Sequence, residues 1–468
     1  MDDRLPPDRL FYFRATGTKI RYRLAMNPTL LAGAAVRDIS PTRPLFLVGY
    51  PHVQRISTGI HDPLLASALC LRQGTDAVLL VAVDILFINP PTARRLRKTL
   101  AAATGIAEES VFISCSHTHS GPVTHSMIAW ESDPIVPPTD PDYMRQFEEG
   151  LLQAALEATR QIQPARWAWT STPVTGVGGY RLAPDGPADR DAQILALRTV
   201  DGNRWLAVSL TYCMHPTVLH EDSTLVSSDF PAFTRLQLRE QLGSDTAILY
   251  HMGPSGNQSP RYAVKAQTFA EAERLGRRLG AGVADALLAL PDSAFSSSAL
   301  LQGRITTTDL PRRQLPSVAD AERLLGECRR TYEQLKSAGA PHGPVRTAEC
   351  AVFGAEETVT LARAQAKGRI EQRLKDDFLP AEVQVLQIGS RCLVGFPAEL
   401  FVEYGLALRE QTQNTAFGVS LVNGDLQGYI VTPEAAQAGG YEAANSLFAP
   451  AAGEQLLRTA LDLISKLR

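Results

Sequence analysis

The sequence lacks the features of nucleic-acid-binding, disulfide-stabilised and membrane-spanning proteins. It has 46 Lys and Arg against 49 Asp and Glu, a net charge of −3 and no long basic run, so nothing favours nucleic-acid binding. Its six cysteines show no CxxC spacing, and several sit in apolar runs such as the one ending at Cys115, which favours reduced, buried thiols. Apolar runs such as residues 77–88 include Asp84 and are too short to cross a bilayer. These absences favour a globular protein whose partner is a small molecule, with no nucleic acid and no transmembrane segment.

A secretory signal is also missing from the start of the sequence. The first residues, Met-Asp-Asp-Arg-Leu-Pro-Pro, are acidic and rich in proline, with no apolar stretch behind a basic start. This predicts a cytoplasmic location. The sequence leaves the oligomeric state open, and a homo-oligomer is compatible with it.

Apolar runs that alternate with amphipathic stretches predict the fold class. Strands are expected at 77–88, 110–115, 165–171, 192–200, 204–212, 246–250, 381–396 and 416–422, with helices at 92–103, 141–162, 230–242, 265–289 and from about 452. This alternation indicates an α/β protein with mixed β-sheets flanked by helices. No linker divides residues 1–468, so we expect a single catalytic domain. The charged stretch 316–377 is predicted to be a helical insertion or lid.

Two familiar hydrolase motifs are missing. No H-E-x-x-H helix occurs, since His220-Glu221 continues as Asp-Ser-Thr, and this excludes a thermolysin-type metal site. No G-x-S-x-G elbow occurs either, so the α/β-hydrolase interpretation has no motif support. If the chain binds a metal, its ligands must come from strand ends that are far apart in sequence.

Histidines do follow two predicted strands. His117 and His119 come directly after strand 110–115, and at i and i+2 in an extended segment both side chains point to the same side. His215 follows the strand at 204–212. Polar residues at the carboxyl ends of strands in α/β proteins are where ligands bind. The alternatives are a polar loop with solvated imidazoles and, for His215, a purely structural residue. The pair Ser228-Asp229 is a candidate to orient one imidazole through its second nitrogen.

Three further segments carry candidate residues whose individual signals are weak. A Gly-rich loop from Tyr250 to Pro260 contains Ser259 and has the composition to present N–H groups and a hydroxyl to an oxyanion, although a plain turn explains it equally well. Glu399 follows a strand and begins a helix, a position that helix capping alone accounts for. The spacing of Tyr429 and Tyr441 does not by itself indicate a functional site.

Taken in order, these segments resemble the catalytic domain of the neutral/alkaline ceramidase family. The resemblance covers about residues 34–452 and only the catalytic domain of the family. Its positions are Gly49-Tyr50, Asp84, Ser-His117-Thr-His119-Ser-Gly-Pro, His215-Pro-Thr with Ser228-Asp229, Gly-Asn257-Gln-Ser259-Pro260, Phe-Pro-Ala-Glu399, Gly-Tyr429-Ile-Val-Thr-Pro-Glu and Tyr441-Glu-x-x-x-Ser-Leu-Phe-x-Pro. One departure is Val123-Thr124, which stands where the family has a pair of glycines.

The resemblance implies a role for each candidate residue. It implies that one Zn²⁺ ion is bound by His117, His215, Glu399 and Tyr429. It further implies four catalytic residues: His119 beside the metal as a proton shuttle, Ser259 as the essential serine, Tyr441 as a second active-site tyrosine and Arg181 as an active-site arginine. Whether Ser259 is a nucleophile or a hydrogen-bond donor stays open.

The predicted activity follows from this resemblance. We expect a zinc-dependent amidohydrolase in which a zinc-activated water cleaves the amide bond of an N-acyl substrate, either a ceramide-like lipid or a smaller soluble compound. One alternative is an esterase or lactonase with the same metal site. The other is a non-catalytic binding protein that kept the fold, although the retention of all four proposed ligands argues against it.

Overall fold

A computed structural model of the chain describes residues 29–467, apart from 51–52, 132 and 202–203. The prediction of a cytoplasmic location depends on the first residues and therefore lies outside the described residues. The strands are β1 Leu31–Asp38, β2 Gly59–Ile60, β3 Leu65–Gln73, β4 Asp76–Val83, β5 Val111–Cys115, β6 Gln163–Pro173, β7 Gly179–Tyr180, β8 Asp191–Thr199, β9 Trp205–Tyr212, β10 Leu225–Val226, β11 Ala247–Met252, β12 Gln258–Ser259, β13 Leu301–Thr308, β14 Ala381–Ile388, β15 Arg391–Gly395, β16 Glu399–Leu400, β17 Ala416–Val419 and β18 Tyr429–Ile430.

The helices alternate with these strands along much of the chain. They are α1 Pro90–Thr104, α2 Pro141–Arg160, α3 Phe230–Leu242, α4 Phe269–Leu288, α5 Val318–Ser337, α6 His342–Ala366, α7 Ile370–Arg373, α8 Val402–Gln411, α9 Pro433–Ala438, α10 Tyr441–Ala444 and α11 Ala451–Ile464. A π-helical turn at Leu374–Phe378 follows α7, and short 3₁₀ turns occur at Glu108–Ser110, Ile128–Trp130, Pro260–Tyr262 and Asp292–Ala294.

Two mixed sheets form the centre of the molecule. The larger has eight strands in the order β11-β9-β8-β6-β1-β3-β4-β5, and its two outermost pairs, β4 with β5 and β9 with β11, are parallel. The smaller has four strands in the order β13-β14-β15-β17, with β15 and β17 parallel. This arrangement confirms the predicted α/β class with mixed sheets flanked by helices.

The sheets face each other, and helices cover their outer faces. In β4, Leu79 and Val81 pack towards α1 and α2, whereas Val78 and Leu80 enter a core shared with the small sheet. Successive residues of a strand point to opposite faces, so this alternation places β4 between two apolar layers. Helices α3 and α4 pack in a further core on the large sheet, and α8 and α11 pack on the small one.

Local signals set the helix ends that the pattern predicted. The side chain of Asn89 accepts a hydrogen bond from the Thr92 backbone N–H at 3.0 Å and caps α1, which ends before Gly105 at a φ of 70°. Asp140 caps α2 in the same manner. The predicted helix at 230–242 is confirmed with the same bounds.

The predicted strand at 381–396 is a hairpin of β14 and β15, and three long strands, β1, β3 and β13, lie where no strand was predicted. The segment 316–377 contains α5 and α6, which pack on each other around Ala321, Val359 and Ala362. Its role as an insertion or lid, and the single-domain organisation of the chain, stay predictions. Among the described residues, no helix combines the length and the hydropathy needed to cross a membrane.

Candidate metal centre

The carboxyl ends of strands from both sheets meet at one site. His117 lies two residues beyond β5, and His215 lies three residues beyond β9. Glu399 lies beyond β15 and pairs directly with Tyr429 in the short parallel ladder of β16 with β18. The segments that follow the strands bring these side chains together, and a common parallel edge does not, because β5 and β9 run in opposite directions through the five antiparallel pairings between them.

The backbone around the histidines adopts conformations that ordinary residues avoid. His117 has a φ of 68°, which is uncommon for a residue with a Cβ and marks functional sites when the surrounding structure holds it. Gly49 has a φ of 119°, and a Cβ there would lie 2.6 Å from the His119 ring. Only glycine therefore permits the Gly49 carbonyl to reach the ring at this position.

Three imidazoles are held in one tautomer by backbone carbonyls. His117 Nδ1 lies 3.0 Å from the Leu86 carbonyl oxygen, and His119 Nδ1 lies 2.9 Å from that of Gly49. His215 Nδ1 lies 2.7 Å from the Ser255 carbonyl oxygen. A carbonyl only accepts, so each Nδ1 carries the proton and donates it, and each Nε2 keeps a free lone pair.

The free lone pairs converge. One ring nitrogen from each of the three histidines lies within 4.8 Å of the other two. The His119 Nε2 atom is buried and makes no hydrogen bond with any described residue. Metal-bound histidines typically donate their second N–H to a carbonyl or carboxylate, which is the pattern found here.

A carboxylate completes a set of acceptors that only a cation satisfies. Glu399 Oε2 lies 2.9 Å from His215 Nε2 and 3.4 Å from His117 Nε2. With both Nδ1 atoms protonated, these three atoms all present lone pairs to one another in a buried place, where unmatched polar groups are costly. Imidazole nitrogens with a carboxylate form a ligand set that suits zinc, so the residues fit a divalent metal.

Burial lowers the pKa of two of the imidazoles, those of His119 and His215. Burial lowers the pKa of His215 to about 4, and the Arg181 guanidinium acts in the same direction. Burial, with His117 and His215 nearby, holds the pKa of His119 well below its usual range. The Nε2 atoms beside Glu399 carry lone pairs and donate no proton to its carboxylate, so a bound cation would stabilise the ionised form. Neutral imidazoles and an ionised carboxylate are the forms that bind metals.

Arg181 and two tyrosines line the side next to Glu399. Arg181 Nε donates to Glu442 Oε1 at 2.6 Å, and its guanidinium carbon lies 5.2 Å from the centre of the Tyr429 ring. Its Nη2 atom is buried and has no hydrogen-bond partner in the described part of the chain. The Tyr429 ring lies 6.4 Å from His215 and 5.8 Å from Tyr441. Burial raises the pKa of both phenols well above their usual value, so both hydroxyls stay protonated and can donate.

The Gly-rich loop reaches the site through its carbonyl groups. The Ser255 and Gln258 carbonyl oxygens both face His215 Nδ1, at 2.7 and 3.2 Å. Ser259 is buried, pairs with Gly179 across β12 and β7, and accepts a hydrogen bond from the Arg261 N–H at 3.3 Å. The loop therefore positions His215 through two carbonyl groups. It also places Ser259 directly after Gln258, which supplies one of them.

The structure thus brings together His117, His119, His215, Glu399, Tyr429, Arg181 and Tyr441, with Ser259 one residue from a carbonyl that contacts His215. The division into four metal ligands and four catalytic residues, including the assignment of His119 to proton transfer, stays a prediction.

The hypothesis for Asp229 was wrong. Its carboxylate accepts from the backbone N–H groups of Val218, Leu219 and Phe230 at 3.0, 2.9 and 2.6 Å, so it caps α3 and does not contact an imidazole. Backbone carbonyls orient the histidines instead, and they leave no signal in the sequence.

Sequence reasoning also missed a buried arginine behind the site. Arg55 is fully buried and donates to the His119 carbonyl oxygen at 2.8 Å and to that of Ser223 at 2.8 Å. Its guanidinium also lies 5.1 Å from the centre of the Tyr50 ring, which packs 5.2 Å from His119. Arg55 therefore fixes the segment that carries His119, although no motif marks it.

Comparison with known proteins gives a consistent result. A family profile described as neutral/alkaline non-lysosomal ceramidase, N-terminal, matches residues 30–248. The neutral ceramidase of Pseudomonas aeruginosa is 23% identical over 485 residues, which cover 93% of this chain and 70% of that protein. The neutral ceramidase A of Dictyostelium discoideum is 24% identical over 229 residues, which cover 44% of this chain and only 31% of that protein.

A solved structure shares the fold. The crystal structure of the neutral ceramidase from Pseudomonas aeruginosa superposes with a TM-score of 0.71 at 17% identity, covering 93% of this chain and 74% of that one. At this identity the likeness concerns the fold, and the activity has to be argued from the site.

Proposed function

This chain belongs to the neutral/alkaline ceramidase family, and on that premise we propose that it is a zinc-dependent amidohydrolase. Its substrate in this proposal is an N-acyl compound, either a ceramide-like lipid or a smaller soluble amide. The observation that supports it most is the group of three imidazoles with their Nε2 lone pairs turned towards one another beside Glu399.

The proposed ligands are His117, His215, Glu399 and Tyr429. A zinc ion bound there supplies Lewis acidity that polarises a carbonyl and lowers the pKa of a water to about 7. The carbonyls of Leu86 and Ser255 hold the first two imidazoles in the ligating tautomer and so remove the need to reorganise on binding.

The remaining residues act on the amide. Negative charge develops on the carbonyl oxygen when the amide is attacked, and the free Arg181 Nη2 and the Tyr441 hydroxyl are donors for it. Ser259 adds a hydroxyl next to the loop that holds His215. His119, with its proton on Nδ1 and Nε2 free, accepts a proton at Nε2 and delivers it to the departing nitrogen.

The test combines metal analysis with matched substrates. We expect purified protein to hold about one zinc per chain and to hydrolyse an N-acyl amine, with both properties lost on chelation and restored by zinc. Full amide turnover after complete removal of the metal would contradict the proposal. Turnover of the matched ester with none of the amide would favour the esterase or lactonase alternative, and absence of both zinc and turnover would favour a binding protein.

A further inference from the structure

The metal centre is open to solvent on the side of His119. The other two imidazoles of the centre are buried, whereas His119 is half-buried. Its ring lies 5.2 Å from that of Tyr50, and the Tyr50 ring lies 5.7 Å from His220, which is half-buried as well. A substrate therefore approaches the centre along His119 and His220.

Two arginines border this approach. Arg346, near the start of α6, forms a two-pronged pair with Glu221, the neighbour of His220, at 2.7 and 3.1 Å. Burial lowers the pKa of His220 to about 4, and the guanidinium groups of Arg346 and Arg261 act in the same direction. Burial raises the pKa of the Cys350 thiol, one turn along α6, and the same two groups act against it. Arg261 therefore lies close to both His220 and α6.

Arg261 directly follows the Gly-rich loop of the site. It comes two residues after Ser259, whose side chain accepts from the Arg261 backbone N–H at 3.3 Å. Its Nη1 atom donates to the Arg181 carbonyl oxygen at 3.0 Å, and the next residue, Tyr262, is exposed. The Arg181 guanidinium lies further inside, 5.2 Å from the centre of the Tyr429 ring. A substrate group that reaches Arg261 is therefore a few bonds away from an amide held at the metal centre.

Arg261 is a half-buried cation without a counter-charge in the described part of the chain. Arg181 donates to Glu442 at 2.6 Å and Arg346 pairs with Glu221, but no described carboxylate pairs with Arg261. A charge removed from water is unfavourable unless it is paired. The bond to the Arg181 carbonyl uses one donor of the Arg261 guanidinium and leaves its charge unmatched.

We propose that Arg261 binds an anionic group of the substrate, so that the chain hydrolyses amides that carry a carboxylate near the scissile bond, namely N-acyl amino acids. This inference rests on the proposed amidohydrolase function. A single carbon atom separates the α-carboxylate of such a substrate from the amide nitrogen, and a guanidinium holds a carboxylate through two parallel hydrogen bonds. A neutral amide would leave the charge of Arg261 without a partner.

The test uses three substrates with the same acyl chain, namely an N-acylglycine, its neutral glycinamide and a neutral N-acyl amino alcohol. We expect the zinc-loaded wild type to favour the acid over the glycinamide by about 10- to 100-fold in kcat/KM, mainly through KM, because a hydrogen-bonded charge has that effect. The preference should fall as the salt concentration rises, since Arg261 is only half-buried.

Two substitutions separate the charge of Arg261 from its shape. Arg261→Met removes the charge at similar length and should bring the acid and the glycinamide to within about threefold of each other. Arg261→Lys keeps the charge but not the planar fork, so it should retain an intermediate preference for the acid. Arg278→Met is the matched control, because Arg278 also donates to a backbone carbonyl, that of Thr175, and forms no ion pair with a described residue. Its substitution should leave the preference unchanged.

A wild-type ratio near one would overturn the inference without any variant. Equal losses on the acid and the glycinamide in Arg261→Met and Arg261→Lys, with zinc content intact, would also overturn it, because they would indicate a structural role. Turnover of the N-acyl amino alcohol alone would overturn the inference and leave the proposed function standing. Hydrolysis of none of the three substrates by the zinc-loaded wild type would overturn the proposed function, and the inference with it.

Discussion

Two regions border the metal centre and are built in different ways. The strand-end wall, which consists of residues 116–119, His215 and Glu399, is buried except for the half-buried His119, and backbone carbonyls orient each of its imidazoles. The α5–α6 segment carries ion pairs along its outer surface, and Ala321 is the residue of α5 that is buried. It reaches the site through a few side chains of α6. On the proposed function, we expect substitutions in the wall to affect metal binding and turnover, and substitutions in the segment to affect substrate binding.

The largest effect that would separate the two regions is expected for His117→Ala. Removal of one ligand from the wall should eliminate bound metal and lower kcat/KM by at least about 10³-fold, since a metal contributes several kcal/mol to transition-state stabilisation. Metal analysis and substrate turnover measure this. His61→Ala is the control, because His61 stacks on Phe269 away from the wall. Full zinc and full rate in His117→Ala would show that the site is wrongly assigned.

Ser259→Ala, in the loop that holds His215, should separate metal binding from turnover. The serine contacts no imidazole directly, so zinc content should be unchanged, whereas kcat should fall by about 10²- to 10³-fold if its hydroxyl stabilises developing charge. Loss of zinc in this variant would indicate a structural role through the loop that holds His215.

The wall was more predictable from the sequence than the segment, and the reason is physical. Strand ends follow from apolar runs, so His117, His215 and Glu399 were each placed after a strand, and the family resemblance implied that the three bind one metal. Their orientation was not predictable, because carbonyls of Leu86, Gly49 and Ser255 set it and every residue has a carbonyl. Strand β1 was missed because small residues weaken its apolar run.

The burial of Glu357 could not be predicted for a different reason. A Glu-Glu pair in a charged, helix-prone stretch is typical of a solvated surface, and only the fold shows that Glu357 faces inwards while Glu356 pairs with Arg329. Helical periodicity is equally compatible with either residue being buried. The distinction depends on where α6 packs against α10, which is a long-range contact.

The buried carboxyl of Glu357 should make the stability of the folded protein depend on pH. Folding raises the pKa of Glu357 from 4.5 to about 7, so the folded chain binds this proton more tightly. The free energy of unfolding should therefore fall by up to about 3 kcal/mol as pH rises from about 4.5 to about 7 and stay level above that. Glu357→Gln lacks this titration, so its stability relative to the wild type should increase over that window.

Denaturant unfolding of both proteins at about pH 5 and about pH 8 measures the difference directly. Other buried carboxyls such as Asp229 titrate in both proteins and cancel in the comparison. A stability difference that is the same at both pH values would contradict a raised pKa of the buried Glu357 carboxyl.

A smaller effect on activity is expected for the ion pair between Arg346 and Glu221, which attaches α6 near the strand-end wall. Arg346→Ala removes the pair with Glu221, whose neighbour His220 lies 5.7 Å from the Tyr50 ring. The Arg346 side chain is 13% exposed, so its loss should cost about 1–3 kcal/mol of stability and raise KM about 3- to 10-fold through a looser α6. Metal content and kcat should not change. A lower kcat at constant KM would show that Arg346 acts on the reaction step. The two regions would then not differ in function.

The smallest effect tests the outer surface of the same helix. Arg363 on α6 pairs with Glu322 on α5 at 2.7 Å, the same separation as between Arg346 and Glu221. The side chains of Arg363 and Glu322 are, however, each 50% exposed. Exposed pairs contribute little, so Arg363→Ala should change the free energy of unfolding by less than about 1 kcal/mol. KM and kcat should equal those of the wild type. Because the two arginines differ mainly in burial, a KM shift in Arg363→Ala as large as that in Arg346→Ala would mean that the whole segment, and not its inner face alone, governs substrate binding.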